Sequence, residues 1–261
     1  MLIDTHCHIS DSAFDTDRAE ALERAKAAGL DWMLTVGTEP ANWSEYLRDA
    51  TQQSDPRIYA ALGFHPNHAQ SFSPSALDEL RTLAQKHRGV VLAIGETGLD
   101  FFRDNCPEEI QRVAFDAQLQ LAEELGLPFI LHCRQAERAM LDVLKAHREK
   151  SGKPLRGVWH CFTASVEFLR EAVELDLYFG FGGVLTYPKA DEVRAAAKEA
   201  PRDRILLETD APYLAPKSRR GKRNEPALVA ETGQKMAEVL ELSFPEVCTL
   251  TSDNAKRLFM R

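Results

Sequence analysis

The sequence predicts an α/β fold, a single-domain TIM (β/α)8 barrel that spans residues 1–261. Eight short apolar segments alternate with longer segments of helical period, which is typical of βαβ units and a parallel sheet. The length of 261 residues matches the roughly 250 residues of such a barrel. The main alternative is an open doubly wound sheet. The absence of a GxGxxG motif after the first strand argues against its dinucleotide-binding form.

The apolar segments define the predicted strands in chain order. They are Met1–Thr5, Trp32–Val36, Ile58–Gly63, Val90–Gly95, Pro128–Leu131, Gly157–Trp159, Tyr178–Gly182 and Ile205–Glu208. Helix signals lie between and after them: a helical period over 16–29, the N-cap pair Ser73-Pro74, an amphipathic run Glu109–Leu125 that Gly126 stops, and a tail from Glu225. We find no repeat, low-complexity segment or linker, so one domain is the simplest interpretation.

Composition predicts an acidic, soluble protein. Lys and Arg number 32 and Asp and Glu number 40, which gives a formal net charge of −8. No apolar segment approaches the ~20 residues that span a bilayer, and no basic leader precedes the first strand. We therefore expect a cytoplasmic protein with no membrane partner, and the sequence predicts no particular oligomeric state. The five cysteines form no CxxC pair and are expected to be free thiols.

Polar residues cluster where the predicted strands end, which is where catalytic groups lie in such barrels. Five of the eight histidines follow strands, and they are His6, His8, His65, His132 and His160. Glu96 follows the fourth strand and Asp210 follows the eighth. By contrast, His87 and His147 lie in polar helical surroundings and are expected to be solvated, whereas His68 fits either environment.

Each of these residues also has an ordinary structural interpretation. The HxH pair could be incidental, Glu96 could pair with an arginine, and Asp210 could cap a helix at Ala211-Pro212. Together, however, four imidazoles and two carboxylates are too many ligands for one tetrahedral zinc ion and about enough for two divalent ions. Two such ions polarise a phosphoryl or acyl oxygen and lower the pKa of a bound water from 15.7 to about 7. The sequence therefore predicts a hydrolase, with Glu96 as the bridging ligand.

His65 is left over from this ligand set. It is expected either to act on the leaving group or a phosphate oxygen, or merely to fix its loop by a hydrogen bond. The segment 217–223, hereafter the basic segment, carries five positive charges in seven residues. Such a run is usually solvated surface, but its position after the eighth strand favours polyanion binding.

Motifs along nearly the whole chain resemble those of the TatD family of metal-dependent deoxyribonucleases. They are Asp4-Thr5-His6-Cys7-His8, Gly63-Phe64-His65-Pro66, Gly95-Glu96-Thr97-Gly98-Leu99-Asp100, Leu131-His132-Cys133-Arg134, His160-Cys161-Phe162, Glu208-Thr209-Asp210-Ala211-Pro212-Tyr213-Leu214, Arg220-Gly221-Lys222-Arg223-Asn224-Glu225-Pro226 and Asp253-Asn254. One departure from the family pattern is Phe101-Phe102, where tyrosines are expected; the rings can still stack on a base.

The resemblance implies a ligand set and an activity. His6, His8 and Asp210 would hold one ion, His132 and His160 the other, and Glu96 would be shared. Ligand chemistry allows two ions of Zn²⁺, Mn²⁺ or, in the more oxygen-rich position, Mg²⁺, and the sequence does not choose among them. The implied reaction is hydrolysis of DNA phosphodiesters, commonly by a 3′ to 5′ exonuclease that acts on single strands or 3′ ends.

Residue roles follow from this expected reaction. We expect Asp210 to accept the proton of the attacking water. The candidate substrate-binding residues are Arg134, Arg219, Arg220 and Arg223. An ester or amide hydrolase such as a D-aminoacyl-tRNA deacylase is the alternative function. The complete ligand set argues against a third possibility, a binding protein with an inactive site.

Overall fold

The eight strands form one parallel sheet in the order of the chain, β1 to β8. A computed structural model describes residues 1–53 and 55–260. The strands are β1 Leu2–Cys7, β2 Leu30–Gly37, β3 Arg57–Leu62, β4 Val91–Asp100, β5 Phe129–Arg134, β6 Gly157–Trp159, β7 Tyr178–Phe181 and β8 Ile205–Leu207. Two hydrogen bonds, from Asp210 N to the His6 carbonyl and from His8 N to the Ala211 carbonyl, join the two ends of the sheet. The predicted (β/α)8 barrel is therefore confirmed.

Helices cover the outside of this sheet. Those in the described part of the chain are α1 Arg18–Ala27, α2 Pro40–Gln52, α3 Pro74–Lys86, α4 Glu108–Leu125, α5 Glu137–Ser151, α6 Val166–Glu174, α7 Asp191–Glu199, α8 Val229–Leu240 and α9 Phe244–Phe259. The Ser73 hydroxyl accepts a hydrogen bond from Ala76 N at the start of α3, and Gly126 ends α4 with a φ of 66°. These two helix signals are confirmed, and the predicted helical tail consists mainly of α8 and α9. No helix among the described residues has the length and apolar character needed to cross a membrane.

Four strands continue beyond their predicted ends, although β2 does so only by one residue, to Gly37. β1 reaches Cys7, β4 reaches Asp100 and β5 reaches Arg134, so polar residues expected after the strands lie within them. The reason is that the backbone pairing continues past the apolar runs: Gly98 pairs with His132, and Asp100 pairs with Arg134. Gly98 has a φ of 132°, and a Cβ there would lie 2.1 Å from the His132 carbonyl oxygen. Only glycine permits this close approach.

The prediction that His147 is solvated is wrong. His147 is 7% exposed, and its Nε2 lies 3.3 Å from a Glu123 carboxylate oxygen. Helical spacing places it on the inward face of α5, one turn after Leu144. His87 is half-buried at the end of α3, so it is only partly solvated. His68 is exposed and lies 3.5 Å from Glu39.

Candidate metal centre

The carboxyl ends of β1, β4, β5, β6 and β8 bring the six predicted ligands to one place. His6 is fully buried, and its Nε2 lies 3.5 Å from Glu96 Oε2 and 3.7 Å from Asp210 Oδ1. His8 Nε2 lies 3.5 Å from the same Asp210 oxygen. His6, His8 and Asp210 therefore form one group of nitrogen and oxygen donors, with Glu96 at its edge.

Glu96 also contacts a second group. Its Oε1 lies 2.9 Å from His132 Nδ1 and 2.9 Å from His160 Nε2. The Glu96 side chain is 4% exposed, so water does not screen these contacts. One carboxylate thus contacts His6 through one oxygen and His132 and His160 through the other.

The far side of three imidazole rings is also occupied. His8 Nδ1 donates to the Val36 carbonyl at 2.8 Å. His132 Nε2 lies 3.1 Å from Asp100 Oδ2, and His160 Nδ1 lies 3.4 Å from Glu208 Oε1. Asp100 and Glu208 are missing from the predicted site, although both lie in the quoted motifs. The available signal is a second carboxylate close to each predicted ligand, Asp100 after Glu96 and Glu208 before Asp210, but the sequence does not say which carboxylates face the rings.

The protonation of the site follows from its mixture of charges. Burial on its own raises the pKa of Glu96, but the neighbouring His160, His65 and His6 outweigh it and hold that pKa well below its usual value. Burial likewise opposes ionisation of Asp210, yet the hydrogen bond from His8 and the nearby imidazoles lower its pKa. Both carboxylates are therefore ionised near neutral pH, which is the form that binds cations.

Backbone conformation holds Asp210 in place. Its φ of 57° is in the left-handed region, where Asp is one of the few side chains tolerated. The next three residues form a turn, and no helix begins at Ala211. The alternative interpretation of Asp210 as a helix N-cap is therefore wrong.

His65 lies at the edge of the same cluster. Its Nδ1 accepts a hydrogen bond from Asn67 N at 3.0 Å, so the ring hydrogen of the neutral form is on Nε2, which lies 3.8 Å from Glu96 Oε1. Burial, followed by the neighbouring His132, lowers the pKa of His65 to about 3. His65 is consequently an uncharged donor near neutral pH, with its N–H directed at the cluster.

The donor set fits divalent ions. Among residues 1–53 and 55–260, three groups have ligand atoms within 4.8 Å of one another: His6, His8 and Glu96; His6, His160 and Glu208; and His65, Glu96 and His132. Both ring nitrogens of the buried His6 lack a hydrogen-bond partner among the described residues. A buried polar group without a partner is costly, and a bound cation would satisfy it. Imidazole and carboxylate together suit Zn²⁺, Mn²⁺ and related ions.

Aromatic and basic side chains lie around the end of the barrel at which the predicted ligands meet. Phe102 is 53% exposed, and the Arg134 guanidinium stacks over its ring at 3.8 Å. Tyr213 is 55% exposed, and its ring centre lies 6.0 Å from that of His8. Both positions can offer a flat apolar surface to a substrate.

The basic segment divides into two parts. Arg219, Arg220 and Lys222 are exposed, and Arg220 lies over the Tyr187 ring at 5.0 Å. Arg223 instead forms an ion pair with Asp17 at 2.6 Å. All five cysteines are free, as expected, and Cys7 is buried.

A parallel barrel that gathers histidines and carboxylates at the carboxyl ends of its strands has the architecture of a metal-dependent hydrolase. The TatD related DNase family model matches residues 3–260. The chain therefore belongs to this family, which confirms the resemblance seen in the sequence.

Similar proteins cover almost the whole chain. It is 39% identical over 259 residues to the uncharacterized metal-dependent hydrolase YabD of Bacillus subtilis, with 99% of each chain covered. It is 35% identical over 263 residues to the 3'-5' ssDNA/RNA exonuclease TatD of Erwinia tasmaniensis, again with 99% of each covered. The crystal structure of the TatD homologue YjjV from Escherichia coli superimposes with a TM-score of 0.92 at 33% identity, over 100% of this chain and 98% of that one.

Proposed function

We propose that this protein is a metal-dependent hydrolase that cleaves phosphodiester bonds of DNA and trims unpaired strands from the 3′ end. The observation that carries the proposal is the position of Glu96, whose two oxygens contact two separate groups of imidazoles. Relatives named as metal-dependent hydrolases and as 3'-5' ssDNA/RNA exonucleases support the reaction and the substrate class.

The residues divide into two ligand sets around Glu96. His6, His8 and Asp210 would hold one divalent ion, and His132 and His160 would hold a second, with Glu96 shared. When bound, two such ions polarise the phosphoryl oxygen and activate a water molecule.

Two further side chains are positioned to move or donate protons. Asp210 is ionised and partly buried, so it can accept the proton that the attacking water loses. His65 can donate a hydrogen bond from Nε2 to the leaving oxygen or to a non-bridging phosphate oxygen. Because its Nδ1 accepts from Asn67, this donation comes from a neutral ring and not from an imidazolium.

The side chains around the metal site can bind single-stranded DNA. Phe102 and Tyr213 can stack with bases, a sequence-independent contact worth about 1–3 kcal/mol per base. Arg134, Arg219 and Arg220 can pair with phosphates. Arg223 contributes less, because Asp17 already neutralises it.

The proposal is tested with oligonucleotides labelled at either end. Purified protein loaded with Mg²⁺ or Mn²⁺ should shorten a 5′-labelled single strand progressively, and a blunt duplex should be degraded more slowly. Excess EDTA should stop the reaction, and the His132→Ala variant should be inactive at the same metal concentration. Persistence of the oligonucleotide together with rapid hydrolysis of a D-aminoacyl-tRNA ester would assign the site to the alternative deacylase reaction.

A further inference from the structure

The two ligand sets differ in where their carboxylates lie. Asp210 contacts His6 and His8 directly, so the first set includes a carboxylate of its own. The set of His132 and His160 has only the shared Glu96. Behind these two rings, however, lie the carboxylates of Asp100 and Glu208, whereas Nδ1 of His8 faces the uncharged carbonyl of Val36.

Both of these outer carboxylates are buried and fixed. Asp100 is 1% exposed, and its Oδ1 accepts hydrogen bonds from Phe102 N and Arg103 N, each at 3.0 Å. Its Oδ2 is then left to face His132 Nε2 and the Asn67 amide. Asp100 therefore cannot rotate away from His132 without losing several hydrogen bonds.

Glu208 is enclosed behind His160. It is 0% exposed, and its Oε1 accepts a hydrogen bond from Cys161 N. A Cβ at position 180 would lie 2.0 Å from Glu208 Oε2, so the carboxylate occupies space that only glycine leaves open. The absence of a side chain at Gly180 thus leaves the space that the Glu208 carboxylate fills behind the His160 ring.

We propose that Asp100 and Glu208 are positioning residues, which orient His132 and His160 so that Nδ1 of the first ring and Nε2 of the second face Glu96. They also supply the negative charge that this ligand set lacks among its own members. A carboxylate behind a ligating imidazole fixes its tautomer and raises its basicity. The inference rests on the proposed function only in that these rings hold a divalent ion, and it does not depend on the substrate.

The test measures metal binding instead of catalysis. Metal-free wild type, Asp100→Asn and Glu208→Gln are titrated with Mn²⁺ by calorimetry, and their electron paramagnetic resonance spectra are recorded. Each substitution keeps the side-chain size and removes the charge, so one of the two Mn²⁺ ions should bind about 10–100-fold more weakly. The spectrum of a coupled ion pair should be replaced by that of a single ion at intermediate Mn²⁺ concentrations.

The matched control is Glu123→Gln. Glu123 lies 3.3 Å from buried His147, which is the same kind of pair outside the proposed ligand sets, so its loss should leave both affinities unchanged. Wild-type affinities in both Asp100→Asn and Glu208→Gln would overturn the inference, whether or not the protein cleaves DNA.

A wild-type measurement covers the case in which a variant fails to fold. Long-range ¹H–¹⁵N spectra of the Zn²⁺-loaded protein with labelled histidines should show the hydrogen of His132 on Nε2 and that of His160 on Nδ1. The opposite tautomer at either ring would refute the orientation that we assign to it.

Discussion

Gly180→Ala tests the fitted space behind His160. The new Cβ would lie 2.0 Å from Glu208 Oε2, so the carboxylate must move by about 1.4 Å to reach ordinary contact. Glu208 is 0% exposed, so the displaced carboxylate must press against the groups packed around it. Overpacking of this kind costs about 1–3 kcal/mol, which lowers Tm by roughly 2–12 °C in a protein of this size. Displacement of the Glu208 carboxylate should also lower the affinity for one of the two metal ions.

The matched control is Gly182→Ala, two residues further along. A Cβ there meets nothing closer than 3.6 Å, so we expect a Tm within about 2 °C of wild type. Adding Glu208→Asp to Gly180→Ala shortens the acid and should recover part of the lost stability. Thermal unfolding by circular dichroism in EDTA, followed by Mn²⁺ titration, gives both readouts. Equal Tm values for the two alanine variants would refute the packing argument.

Further predictions concern proton transfer, substrate contacts and pH. Asp210→Asn should lower kcat by about 10²–10⁴-fold in steady-state assays, and a loss below tenfold would refute its role as the base. His65→Gln places an amide N–H near the position of Nε2, whereas the shorter His65→Asn reaches only the position of Nδ1. The Gln variant should therefore retain more activity than the Asn variant, and the reverse order would contradict donation from Nε2. Substitution of the exposed basic residues of 217–223, apart from Arg223, by alanine should flatten the slope of log affinity against log salt concentration for an oligonucleotide. The expected change is about 0.7 per lost phosphate contact, and an unchanged slope would show that the segment is solvated surface. Burial raises the pKa of Asp4 from 3.8 to about 8, so the free energy of unfolding of the metal-free protein should fall as pH rises between these values, and urea titrations of Asp4→Asn should lack that part of the slope.

The sequence predicts the barrel well because its signal is repeated along the chain. The predicted strands are apolar runs that alternate with helical segments, and the positions just after four of these runs carry five of the eight histidines. His6 and His8 illustrate this: alternation along a strand places both on one side, and their ring centres lie 5.1 Å apart.

The parts that the sequence did not predict depend on contacts between distant segments. β4 extends to Asp100 because residues of β5 pair with it, and an apolar run contains no information on that pairing. Glu208 lies behind His160 because Gly180 on a third strand leaves room. His147 is buried although its neighbours in the sequence are polar, because the helical period places it on the side of α5 that packs against the core. Its Nε2 lies 3.3 Å from Glu123.

The most direct test of the metal centre is a crystal structure of the Mn²⁺-soaked protein with anomalous diffraction recorded at the manganese edge. Our interpretation predicts two anomalous peaks in the cluster, one coordinated by His6, His8 and Asp210 and the other by His132 and His160, with Glu96 bound to both ions. An empty cluster at saturating Mn²⁺, or a peak that none of these side chains coordinates, would contradict it.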